Sequence, residues 1–89
     1  MLKLITKGRF NREVKKFKKR GKDMNKLQQV IELLQKRIPL PAKHRPHKLH
    51  GEFNGYWECH VEPDWLLVYK ATESELILFA TGTHSDLFK

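Results

Sequence analysis

The sequence predicts an α+β domain: a small antiparallel sheet with an N-terminal helical hairpin on one face, in the order β-α-α-β-β-β. Three observations predict it. Apolar residues recur at helical spacing from Phe10 to Ile38, strand-like runs follow from Tyr56 to Ala80, and 89 residues supply one hydrophobic core and no more. Residues 1–89 are therefore read as a single domain.

The elements follow in order. Leu2, Leu4 and Thr6 alternate with Lys3, Ile5 and Lys7, the pattern of a short opening strand. From Arg9 the period changes, and Phe10, Val14 and Phe17 form one helical stripe ringed by Arg12, Lys15, Lys16, Lys18 and Lys19. Gly21 suits a helix C-terminus, and Asp23 can cap the next N-terminus. Met24, Leu27, Ile31, Leu34 and Ile38 then recur in steps of three and four, and Pro39 and Pro41 end the run. Neither stripe can bury itself alone, so both need a sheet to cover.

Pro39 to His47 is a basic, proline-punctuated loop. Asn54-Gly55 is the signature of a tight hairpin turn, with Gly51 placed to supply a bulge that corrects the register of Leu49. Trp57, Cys59 and Val61 then alternate with Tyr56, Glu58 and His60. After the break at Pro63-Asp64, Trp65 to Tyr69 is apolar on both parities, which predicts a central strand buried on both faces. Leu76 to Ala80 is a further strand, and Ser85 to Phe88 a tail or helical turn.

Hydrophobic residues at 39% and charged residues at 31% describe a globular, soluble chain. Eighteen basic against ten acidic residues give a net charge of +8, which favours a polyanionic partner. The charge is uneven: Met1–Lys48 carries 16 basic and 3 acidic residues, and Leu49–Lys89 carries 2 and 7. Cys59 stands alone, so there is no internal disulfide and no cysteine-based metal site, as befits a reducing compartment. No run approaches the ~20 apolar residues of a membrane span, and the N-terminus lacks a signal-peptide core. A cytoplasmic protein without a membrane partner is expected. Phosphate-binding glycine loops, Gly-x-Ser-x-Gly elbows and zinc-finger spacings are missing from the sequence.

Histidine is the residue of interest. Four of the five lie between His44 and His60, and the fifth is His84. Imidazole titrates near neutral pH and can exchange a proton during a reaction, although a lone surface histidine is equally ordinary. His44-x-x-His47-x-x-His50 invites a metal reading, but Pro46 forbids helical spacing and no acidic ligand adjoins it, so no metal is assigned. Asp64 can cap the turn or orient a histidine. Trp65 and Phe88 can stack on a base, though the parity of Trp65 with Leu67 and Tyr69 also fits a core residue. Cys59, between Trp57 and Val61, reads as a buried hydrophobe.

Lys22-Asp23-Met24-Asn25-Lys26-Leu27, Pro39-Leu40-Pro41-Ala42, His60-Val61-Glu62-Pro63-Asp64-Trp65, Tyr69-Lys70, Thr81-Gly82-Thr83-His84 and Leu87-Phe88 together resemble the YafQ-type toxins of the RelE/ParE toxin–antitoxin superfamily. The resemblance spans nearly the whole chain. It implies a small antiparallel sheet with two N-terminal helices on one face. It also implies a ribosome-dependent endoribonuclease that cuts mRNA in the ribosomal A site and arrests growth, held in check by an acidic antitoxin that often represses their shared operon. The family's catalytic positions fall on His47, His60, Asp64 and His84, with Trp65 and Phe88 as substrate-binding aromatics. Lys43, Arg45 and Lys48 can stabilise phosphate charge; Lys48 stands where the resemblance leads one to expect proline. No cofactor or metal is expected, because the ribose 2′-hydroxyl is an internal nucleophile. Two alternatives belong to other classes: a gyrase-inhibiting toxin resembling ParE, which uses no histidine constellation, and a basic RNA-binding module without catalysis.

Overall fold

The computed structural model describes residues 1–88, arranged as β1 (Lys3–Thr6), α1 (Gly8–Lys19), α2 (Met24–Gln35), a 3-10 turn at Ala42–His44, β2 (His47–Lys48), a second 3-10 turn at Gly51–Phe53, β3 (Trp57–Glu62), β4 (Trp65–Ala71), β5 (Glu75–Gly82) and α3 (His84–Leu87). The strands form one five-stranded sheet in the order β1-β5-β4-β3-β2. Every pairing is antiparallel except β1 with β5, which is parallel. The helical hairpin carries the chain across the sheet face between β1 and the later strands. The expected all-antiparallel sheet is thus corrected at one edge.

The hairpin turns where glycine and aspartate predict. Gly21 adopts φ +83°, and Lys22 and Gly21 donate their N–H groups to the carbonyls of Phe17 and Lys18. Asp23 caps α2 by accepting from the Asn25 N–H at 2.9 Å. Helix α2 stops at Gln35, three residues short of the apolar stripe, because Arg37 takes a left-handed conformation (φ 57°). Its guanidinium donates to the carbonyls of Thr72 and Glu73 at 2.7 and 2.9 Å, tying the helix end to the β4–β5 turn. Ile38 is left exposed.

Phe10, Phe17, Leu27, Val30 and Ile31 pack on Cys59, Val61, Trp65, Leu67, Tyr69, Leu76 and Leu78 of the sheet to form the core. Burial of this apolar surface supplies the main driving force for folding. Trp65 to Tyr69 are all buried, as expected of a central strand. Leu66, Val68 and Ala80 are also buried but lie outside the helix-side cluster, so the opposite sheet face is covered as well.

Two local registers differ from expectation. Asn54-Gly55 does not close a two-residue hairpin; Leu49 N–H donates to the Tyr56 carbonyl, and the residues between form a wider loop with a 3-10 turn that Gly51 opens at φ 68°. In β5, Tyr69 pairs with Leu78 and Val68 with Ala80, which leaves Phe79 as the extra residue of a bulge.

Candidate active site

Alternation along β3 places Glu58 and His60 on the sheet face opposite the helices, while Cys59 points into the core. Pairing of β2 with β3 sets His47 across from Glu58. The His47 and His60 ring centroids lie 6.4 Å apart, and His60 and His84 5.8 Å apart. Three imidazoles from β2, β3 and α3 therefore lie side by side in one cluster, although their sequence positions are far apart.

Each ring is held through Nδ1. His60 Nδ1 donates to the Pro63 carbonyl at 3.1 Å, and His47 Nδ1 to the Arg45 carbonyl at 3.0 Å. His84 Nδ1 lies 2.6 Å from Asp64 Oδ1, which also accepts the His84 backbone N–H at 3.0 Å. An Nδ1–H donor leaves Nε2 of His60 and of His84 available to take up or release a proton, and neither has a hydrogen-bond partner among the described residues. His47 differs: its Nε2 lies 3.2 Å from Glu58, so both its nitrogens face acceptors, and that second bond needs a proton on Nε2 or on the carboxyl.

Asp64 is held below the ordinary carboxylate range, first by the His84 backbone N–H and then by the His84 ring. The ionised Asp64 accepts from both the ring and the backbone N–H of His84, which fixes the orientation of that ring. Glu58 is 6% exposed, and a buried carboxylate demands a cationic or hydrogen-bonding partner, which His47 supplies. Burial pushes the Cys59 thiol up to about 12, so it is no nucleophile.

The surrounding turns are clasped. Lys22 and Lys26 reach Glu62 at 3.5 and 2.8 Å, fixing the end of β3 beside Pro63 and Asp64. Thr83 and Asp86 exchange backbone-to-side-chain bonds in a capping box that starts α3, and Arg20 of α1 reaches Asp86 at 3.1 Å. Gly82 precedes this turn because a Cβ there would come within 2.9 Å of the Asp86 Cβ. His44, to which sequence assigns no role, places Nδ1 2.7 Å from the His60 carbonyl and so buttresses β3.

The expected site residues separate into two groups. His47, His60, Asp64 and His84 come together, with Phe88 one helical turn beyond His84 and 41% exposed. Trp65 does not join them: it is 0% exposed, its ring centroid lies 5.3 Å from Phe17, and its Nε1 donates to Thr81 Oγ1 at 2.9 Å. That placement corrects the substrate-binding role expected for Trp65. Lys48 extends over the Trp57 ring, 5.8 Å from its centroid, on the strand side opposite His47, which removes it from the cluster. Lys43 lines a groove between α2 and the Pro63 turn beside His44, and exposed Arg45 contributes its carbonyl to the His47 ring. His50 is exposed and outside the cluster.

Sequence reasoning missed Glu58 and Asp86. Glu58 shares the His60 parity and Thr83-x-x-Asp86 is a capping-box pattern, so both signals were present. Among the described residues, Glu58, His60 and His84 form the one group that could hold a metal ion, with one ligand atom from each within 4.8 Å of the others.

The chain matches the family described as bacterial toxin of type II toxin–antitoxin system, YafQ, over residues 2–89. It is 48% identical over 82 residues to the mRNA interferase toxin YafQ of Escherichia coli K12, covering 91% of this chain and 89% of the relative. Its fold is similar to YafQ in the crystal structure of the E. coli DinJ–YafQ toxin–antitoxin complex, with a TM-score of 0.92, 44% identity and coverage of 99% and 98% of the two chains. It is also similar to a metal-bound toxin from Helicobacter pylori, with a TM-score of 0.93, 38% identity and coverage of 99% and 100%.

Proposed function

Since the chain belongs to the YafQ family of type II toxin–antitoxin toxins, and is an mRNA interferase toxin, we propose that it cleaves mRNA in the ribosomal A site by histidine acid–base catalysis without a metal. The observation that carries this is the convergence of His47, His60 and His84, with two Nε2 atoms unengaged and Asp64 behind one ring.

Cleavage within an RNA strand needs three things: removal of the 2′-OH proton, protonation of the departing 5′-oxygen, and stabilisation of the charged phosphorane between these steps. In this proposal His60, hydrogen-bonded through Nδ1 to the Pro63 carbonyl, is the base, and His84, oriented by Asp64, is the acid. His47, bonded to the Arg45 carbonyl and to Glu58, stands beside them and can face the phosphorane, with exposed Arg45 adjacent. The 2′-oxygen attacks the phosphorus and the bond to the 5′-oxygen breaks, giving a 2′,3′-cyclic phosphate and a 5′-hydroxyl. His60 retains the 2′ proton and His84 delivers one to the leaving oxygen.

A metal on Glu58, His60 and His84 would occupy the ring nitrogens that must accept and release these protons. Cleavage is therefore expected only with mRNA-programmed ribosomes, with in-frame cuts within codons. It should survive a chelator selective for transition metals at constant Mg²⁺. Equal cutting of naked RNA would remove the ribosome dependence, and loss of cutting on chelation would remove the metal independence. Normal translation with a DNA-damage response on induction would instead favour gyrase inhibition.

The net charge of +13 over Met1–Lys48 suits the ribosomal RNA surface and an acidic antitoxin. As the E. coli relative is seen with DinJ, this chain pairs in our proposal with a cognate antitoxin, and through it with operator DNA. Its setting is the cytoplasm, where ribosomes are; among the described residues no helix is long and apolar enough to cross a membrane. Lys15 and Lys19 are exposed on α1. Lys15→Glu with Lys19→Glu should weaken ribosome association and flatten its salt dependence, as measured by co-sedimentation across a salt series. Unchanged association at every salt concentration would refute the electrostatic component.

A further inference from the structure

The face of the sheet that carries the histidines also carries an aromatic cluster with no place in the acid–base scheme. Four of the nine aromatic residues are gathered there. Phe53 and Phe79 pack edge to face with ring centroids 5.9 Å apart, Phe53 and Phe88 likewise at 5.8 Å, and Tyr56 and Phe79 lie 5.3 Å apart at a 50° tilt. Phe53, Tyr56 and Phe79 are half-buried and Phe88 is exposed, so ring surface remains at the solvent boundary. The Arg9 guanidinium sits over Phe79, 5.4 Å from its centroid, and the Lys70 ammonium 5.9 Å from that of Tyr56. The β5 bulge at Phe79 interrupts the ladder at the centre of this cluster.

We propose that Tyr56, Phe79 and Phe53 form a nucleobase platform for a nucleotide flanking the cleaved bond, with Arg9 and Lys70 meeting its phosphates. This rests on the RNA-cleaving function proposed above. Three features select RNA as the occupant. The platform is continuous with the histidine cluster, since Phe88 touches Phe53 and donates its backbone N–H to the His84 carbonyl at 2.8 Å. The cover on this face is aromatic, with Lys70 and the Glu13-paired Arg9 lying over two of the rings, where Val or Leu would suffice to shield Leu66 and Val68. Stacked rings beside positive charge are the general means of holding single-stranded bases and their backbone together. On this arrangement the wide loop bearing Phe53 and Tyr56 is part of the substrate site.

The test is single-turnover cleavage on mRNA-programmed ribosomes, with an abasic ribonucleotide placed immediately 5′ or 3′ of the cut. For the unsubstituted toxin, removing one of these bases should raise the half-saturating concentration roughly 5- to 150-fold. Tyr56→Leu and Phe79→Leu should show a comparable rise on the intact codon and little more on the abasic one. An abasic penalty of equal size in toxin and variants, or variants that saturate like the unsubstituted chain, would overturn the platform. Thermal unfolding and antitoxin binding check that both variants fold. If either fails, exposed Lys70→Gln decides: the slope of log affinity against log salt should fall by about 0.7, and an unchanged slope counts against the proposal. Absence of cleavage by the unsubstituted toxin would instead strike at the function itself, so the two failures are distinguishable.

Discussion

His60→Ala and His84→Ala should each slow mRNA cleavage by roughly 10²–10⁴-fold, and together abolish growth arrest, because each removes a proton-transfer group from the reaction. The fold should survive. Both rings lie at the rim, and neither belongs to the helix-side core. Thermal unfolding and antitoxin binding should match the unsubstituted toxin, and growth after induction is the readout. Undiminished arrest by a folded double variant would end the acid–base mechanism. The pH dependence of the site that the structure resolves is that of Asp64. Its carboxyl is held below the ordinary ~3.9, so its bond to His84 is fully present above that pH and is lost only as pH falls through the lowered value. Asp64→Asn removes the carboxylate that accepts from the His84 ring and backbone N–H, and should slow cleavage while thermal unfolding and antitoxin binding stay unchanged.

Trp65→Ala should destabilise the protein by about 3–5 kcal/mol, the usual cost of emptying a large core site. That is a large share of the ~5–15 kcal/mol typical of a whole domain. Any loss of growth arrest would then track the loss of folded protein, not the loss of a base's stacking partner. The indole is enclosed by Phe17 and by Thr81, whose hydroxyl accepts from Trp65 Nε1 and donates to the Leu66 carbonyl at 2.6 Å. Trp65→Met keeps apolar bulk and should unfold at lower urea concentration with cleavage per folded molecule unchanged. Full stability with lost cleavage in either variant would return Trp65 to the substrate site.

Much of the framework was legible because its signals are local. The Phe10, Val14, Phe17 stripe, the Asp23 cap, the Gly21 terminus and the doubly apolar Trp65–Tyr69 run each report the environment of their own segment. Errors arose where a distant partner decided. Helix α2 ends early because Arg37 bonds to the β4–β5 turn, which no periodicity in α2 can register. Lys48 looked suited to phosphate because it adjoins His47, yet strand alternation sends the two side chains to opposite sides. The resemblance carried over Trp65 with Asp64, although strand β4 turns one toward the core and the other lies in the exposed turn before it.

What the sequence determined by itself was the helical hairpin and four of the five strands, the basic N-terminal half, the buried central strand and the histidines able to move protons. Periodicity, capping and charge are properties of neighbours along the chain, so they can be read without coordinates. Only the tertiary structure decided that β1 runs parallel to β5, that Glu58 is buried against His47, that Trp65 is sealed in the core, and that three imidazoles lie in one cluster with an aromatic face beside it. These depend on strand pairing and bulges between segments far apart in sequence, where the free energy of packing the whole domain selects one register among several that local patterns allow.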